Sequence, residues 1–162
     1  DSFIGLQILK GKIKVNNKMS KFFIKKYYEP DLQLKFINNL LKIANTSIDI
    51  SDGLIDDLKK MINRQNCSFY IFEEKIPLSK NLRELINIKK LRKINITSRG
   101  DDYQILFTAS PIKSGIIKKI SKNIGVKITK IGKIISGKNN SKIISIKNEQ
   151  IEAKNKGYIH RF

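Results

Sequence analysis

Ile48-Asp49-Ile50-Ser51-Asp52-Gly53-Leu54-Ile55-Asp56-Asp57-Leu58 is the stretch on which the reading of this chain turns. Ser47 to Ile50 has the β-branched alternation of a short strand, and Leu54, Ile55, Leu58, Met61 and Ile62 recur at helical spacing. Ser51-Asp52-Gly53 lies between them, so the local geometry is strand, tight turn, helix. Four carboxylates gather here in a chain with 33 Lys and Arg against 14 Asp and Glu, a concentration that runs against the bias. Asp49 and Asp52 bracket the turn, close enough to face one hydrated Mg²⁺, a hard cation that prefers carboxylate and phosphate oxygens. The helix start offers unpaired N–H groups for phosphate oxygens, Ser51 adds a hydroxyl, and Gly53 lets the backbone bend. On spacing alone an ordinary structural reading stands beside this one: Asp52 caps the helix, and Asp56 and Asp57 favour its first turn.

Arg99-Gly100-Asp101-Asp102-Tyr103-Gln104-Ile105-Leu106-Phe107 forms a second candidate, a glycine turn with paired carboxylates leading into a strand over Tyr103 to Thr108. Adjacent carboxylates repel, so one of the two is expected to face solvent, a ligand or a cation. The C-terminal Gly157-Tyr158-Ile159-His160-Arg161-Phe162 combines aromatics with the single histidine, a composition able to stack on a flat heterocycle or to pack into the core.

Outward from these turns the chain mixes helices and strands. Asp1 or Ser2 caps a first helix with an apolar face at Phe3, Leu6 and Leu9. A Lys- and Asn-rich connection covers Gly11 to Met19, and the second helix is expected after Pro30, capped by Asp31, with Leu34, Ile37, Leu40 and Leu41 as its core face. Phe69 to Phe72 reads as a strand, and Pro77-Leu78-Ser79 turns into a helix around Leu82 and Leu85. Pro111 opens a helix ending near Gly125, and Val126 to Ile135 with Lys142 to Ile146 read as a closing pair of strands around Gly137-Lys138-Asn139-Asn140.

The 162 residues suit one domain with its own core. No apolar run approaches the roughly 18 residues that span a bilayer, and a cytoplasmic setting is expected. One cysteine, Cys67, excludes an internal disulfide and a multi-cysteine metal site, and it reads as a small core residue. The net charge of +19 suggests a polyanion-binding module. Yet the lysines are scattered over nearly every segment instead of forming an arginine- and aromatic-rich stripe, so a solvated surface is favoured over dedicated nucleic-acid binding.

Several motifs fall in an order that resembles the thiamine-monophosphate kinase family of the AIR synthase-related superfamily. Ile48 to Leu54 is similar to its Ile-Asp-Ile-Ser-Asp-Gly-Leu signature, Ile76-Pro77-Leu78-Ser79 to its Leu-Pro-Leu-Ser, and Gly100 to Leu106 to its Gly-Glu-Asp-Tyr-Glu-Leu. Asp1 to Leu6, Ile131-Gly132-Lys133-Ile134 and the terminal Gly157 to Phe162 also follow it. The resemblance implies an α+β fold like the AIR synthase C-terminal domain over residues 1–162, a small mixed sheet flanked by helices, with the family's N-terminal half outside this chain. It implies Mg²⁺ and ATP as cofactors, Asp49 and Asp52 as metal ligands, Ser51 as an ATP contact, and Asp101 with Tyr158 or Phe162 as contacts to thiamine monophosphate. It further implies a homodimer when the enzyme is complete. Asp101 stands where the family has glutamate and Arg99 where glycine is common. A related acceptor chemistry, of the hydrogenase-maturation or selenophosphate type, is the enzymatic alternative.

Overall fold

The computed structural model describes residues 1–63 and 65–152. In chain order the elements are α1 (Ser2–Leu9), α2 (Asn17–Tyr28), α3 (Leu34–Ile43), β1 (Thr46–Asp49), α4 (Leu54–Ile62), β2 (Cys67–Phe72), α5 (Lys80–Lys89), α6 (Lys93–Thr97), β3 (Ile105–Thr108), α7 (Ser114–Ile124), β4 (Gly132–Ser136), β5 (Lys142–Ile144) and β6 (Gln150–Ile151). β1 pairs antiparallel with β3, placing Ile48 opposite Leu106 and Asp49 opposite Ile105. A separate four-stranded mixed sheet has the order β4-β2-β5-β6, in which β2 runs antiparallel to β4 and parallel to β5. The small mixed sheet that the resemblance implies is the four-stranded one, and β1 with β3 forms a second, two-stranded sheet.

α4 holds the two sheets together. Its Leu54, Ile55, Leu58 and Ile62 are buried with Phe69 and Ile71 of β2, Leu106 of β3 and Ile143 of β5. Each such side chain withdrawn from water stabilises the fold by roughly 1.5–3 kcal/mol, so the helix that follows the acidic turn is firmly anchored. A second apolar cluster joins α1, α2 and α5 through Ile4, Phe23, Leu82 and Leu85. A third joins α3 and α7 to one face of the β1–β3 ladder through Phe36, Ile43, Ile120 and Phe107.

Several expectations are corrected. The Lys- and Asn-rich stretch is not a connection to Met19: the Asn16 side chain accepts the Met19 N–H at 2.9 Å and starts α2, whose Met19 and Phe23 face inward at i, i+4 spacing. α3 begins after Gln33 instead of Asp31, which pairs with Lys26. It also buries Phe36 and Ile43, with Leu40 of the expected set packed beside them, while Leu41 is 87% exposed and Leu34 and Ile37 point outward. Both faces of α3 are apolar, and the ring of Phe107, 5.5 Å from Phe36, selects one of them. In α1 the buried positions are Ser2, Ile4 and Gly5, whereas Leu9 is exposed. α6 was hidden by its shortness; the Glu73 carboxylate accepts the Ile94 N–H at 3.0 Å near its start.

The closing strands are not a hairpin, because β2 lies between β4 and β5. Buried Ser68 explains this placement, since its hydroxyl donates to the Gly137 carbonyl at 2.5 Å and accepts the Asn140 N–H at 3.0 Å. The loop is thereby wrapped across the end of β2 instead of folding on itself. Cys67 starts β2 half-buried and is not a core residue.

Candidate functional site

The two turns singled out separately in the sequence lie directly on each other. Pairing of β1 with β3 continues past the strand ends: Ile50 N–H donates to the Gln104 carbonyl, Tyr103 N–H to that of Ile50, and Asp101 N–H to that of Ser51, each at 2.9 Å. Glycine permits this approach from both sides. A Cβ on Gly100 would stand 1.8 Å from the Ser51 carbonyl oxygen, and one on Gly53 would stand 2.3 Å from that of Ser98. Gly53 also has φ +136°, a conformation L side chains rarely adopt.

The second turn bends through left-handed backbone at Asp101 (φ +67°) and Tyr103 (φ +49°). Such conformations raise the energy by about 1 kcal/mol or more per non-glycine residue, and they concentrate at functional sites. Asp102 turns toward α1 and accepts the Ser2 N–H at 3.2 Å, while the Asp101 backbone N–H is bonded to the Ser51 carbonyl of the acidic turn. Burial, then the charges of Asp102 and Asp52, push the Asp101 carboxyl above the usual carboxylate range.

Asp57 is the residue whose role the sequence reading missed. Its side chain is 1% exposed, and one carboxylate oxygen accepts the N–H groups of Ser51 at 3.0 Å, Asp52 at 2.9 Å and Gly53 at 3.0 Å. The protein's own carboxylate thus fills the concavity formed by these three N–H groups of the turn, which precede the first turn of α4. A legible signal existed, because Asp57 sits within the apolar stripe of α4, beside Leu54 and Leu58, where an unpartnered charge is costly. Asp52 does not cap α4 through a side-chain bond, and Gly53 occupies the cap position.

With its N–H groups consumed, the turn presents side chains. Asp52, 19% exposed, is paired with Lys60, whose ammonium also donates to the second Asp57 oxygen at 3.0 Å. Hydrogen bonds to Asp52 and then Asp57 raise the Lys60 pKa. Ser51 is half-buried in the same turn. Asp49 is exposed at the end of β1, across from Ile105 and on the opposite side from Ile48 and Ile50, which pack into the core. Tyr158 and Phe162 lie outside the described residues.

Among the described residues no group of three or more Asp, Glu, His or Cys could hold a metal ion. The donors present still suit a hard divalent cation in part. Asp52 already binds a cation through one oxygen, and the backbone bond from Asp101 to Ser51 brings a second carboxylate-bearing residue to the same turn. The geometry can thus supply part of a metal shell, to be completed by water, substrate oxygens or further protein ligands.

Comparison with known proteins identifies the setting of such a turn. No protein-family model matches the chain. A curated thiamine-monophosphate kinase of Buchnera aphidicola subsp. Acyrthosiphon pisum is 37% identical over 136 residues, covering 83% of this chain and 42% of that relative. The chain belongs to the thiamine-monophosphate kinase family. It spans about half the length of the curated family members it matches. The solved thiamine monophosphate kinase of Aquifex aeolicus superposes with a TM-score of 0.73 at 26% identity, over 93% of this chain and 48% of that one. A solved AaThiL complexed with AMPPCP and TMP superposes with a TM-score of 0.75 at 25% identity, over 97% and 47% of the respective chains. The α+β fold expected from the motif order is accordingly the fold of this kinase family.

Proposed function

We propose that this chain provides the C-terminal half of a site that uses ATP and Mg²⁺ to phosphorylate thiamine monophosphate, giving thiamine diphosphate. The observation that carries this reading is the interlock of the two turns, which brings Ser51 and Asp52 together with Asp101 on one rigid base. It is supported by family members named for this activity and by a solved relative complexed with AMPPCP and TMP.

In this reading Asp49 and Asp52 hold Mg²⁺, which when bound neutralises phosphate charge. The Ser51 hydroxyl contacts the nucleotide, and Asp101, with Tyr158 or Phe162, contacts the acceptor. A phosphate oxygen of thiamine monophosphate bonds to the γ-phosphorus of ATP as the bond to ADP breaks, so no covalent enzyme intermediate is needed. Asp57 keeps the base of the turn fixed, and the α4 core keeps that base fixed relative to β3. The remaining metal ligands and the nucleotide clasp come from the N-terminal half that family members carry, and the complete enzyme works as a homodimer in the cytoplasm.

The test joins this chain to the N-terminal half of the Buchnera relative and follows thiamine diphosphate formation from thiamine monophosphate, ATP and Mg²⁺. Product should form, and Asp52→Asn should lower turnover at least about 100-fold with an unchanged melting temperature, as expected for a group that stabilises transferring charge. Equal turnover in the Asp52→Asn protein, or failure of thiamine monophosphate to accept phosphate, would overturn the assignment.

A further inference from the structure

Lys60 lies on α4 two turns beyond the acidic loop, and its ammonium reaches back to two carboxylates of unequal character. Asp57 is buried and already accepts three backbone N–H groups, so its position is fixed. Asp52 is nearer the surface, and its backbone, not its carboxylate, is what Asp57 holds. The Lys60 side chain is itself 50% exposed and has four rotatable methylenes, so it can leave Asp52 without disturbing α4.

We propose that Lys60 is a placeholder cation: it neutralises Asp52 while no metal is present and surrenders that carboxylate to an arriving divalent ion, remaining tethered to Asp57. The inference rests on the assignment of Asp52 as a metal ligand. It accounts for how Asp52 is held in the same turn as buried Asp57, since like charges at close range oppose each other unless a cation stands between or beside them, as Lys60 does. It also makes Lys60 a positioning residue that sets metal affinity without touching substrate. Lys59, one residue before it, pairs instead with Asp56 at 3.5 Å and supplies a matched control for general charge.

The 162-residue chain is titrated with Mn²⁺ while the amide resonances of Ser51, Asp52 and Gly53 are followed by paramagnetic broadening, a readout that reports weak binding and requires no turnover. Lys60→Gln should lower the Mn²⁺ midpoint about two- to fivefold, the scale of one partly exposed ion pair. Lys60→Arg should restore a midpoint near wild type, and Lys59→Gln should move it less than about twofold because that charge is separated and screened. Broadening at the turn with the same midpoint in Lys60→Gln and wild type overturns the placeholder role alone, as does an equal shift in Lys59→Gln. Absence of broadening at the turn in every variant overturns this inference, which needs the ion to reach Asp52 in this chain, and leaves the phosphoryl-transfer reading to the turnover of the joined protein.

Discussion

Replacing Asp57 by asparagine tests whether the acidic turn is built from within. The amide oxygen can occupy the place of the carboxylate oxygen that receives Ser51, Asp52 and Gly53, so shape is kept and charge is lost. A hydrogen bond to a charged acceptor contributes about 1.5–3 kcal/mol and a neutral one about 0.5–1.5 kcal/mol, so three such exchanges remove roughly 3 kcal/mol. The contact with Lys60 is lost as well, because the amide nitrogen in place of the second oxygen cannot accept, but this adds little since that ammonium is half exposed. Against a total stability of about 5–15 kcal/mol this is a large loss, and for a chain of this size it lowers the melting temperature by roughly 6–12 °C. Thermal and urea unfolding followed by circular dichroism measures it. Asp57→Ala should fall further, since three N–H groups then lose their acceptor. Glu29→Gln, which removes an exposed i, i+4 pair with Lys25 at 3.7 Å, should change stability by less than about 0.5 kcal/mol. An Asp57→Asn protein melting within about 2 °C of wild type would refute the account, because the carboxylate charge would then not be holding the turn.

Asp101→Asn should stabilise the chain at pH 7 by no more than about 1 kcal/mol, given partial exposure, and asparagine keeps the left-handed backbone readily. The sign follows from the raised carboxyl: its protonated form is favoured in the fold, so the gain is absent below the ordinary carboxylate pKa and grows as pH rises through the folded value. Melting curves at pH 3 and pH 7 check it, and a benefit largest at pH 3 would contradict the cause given. Gly100→Ala should separate the two turns, because its Cβ would meet the Ser51 carbonyl at 1.8 Å, and should broaden or shift the amide resonances of Ser51 to Gly53. Phe36→Ala should lower stability by about 3–5 kcal/mol while Leu41→Ala, at an 87% exposed position, should change it by less than about 0.5 kcal/mol in urea unfolding. The reverse order would restore the core face expected from the sequence.

What the sequence determined by itself was local. Alternation at Ser47 to Ile50, the glycine after Asp52 and the helical spacing from Leu54 to Ile62 suffice to specify strand, turn and helix, because each depends on near neighbours along the chain. The same holds for Ser79 at the start of α5 and Gly125 at the end of α7. The tertiary structure decided everything that depends on which surface meets which. It chose the Phe36 face of α3 over an equally apolar face, and it inserted β2 between two strands that local pattern had paired with each other. It also turned the free N–H groups of the acidic turn inward onto Asp57 and set that turn against Gly100. Periodicity records that a residue is apolar or charged; the partner that satisfies it stands up to a hundred positions away and is fixed only when the chain packs.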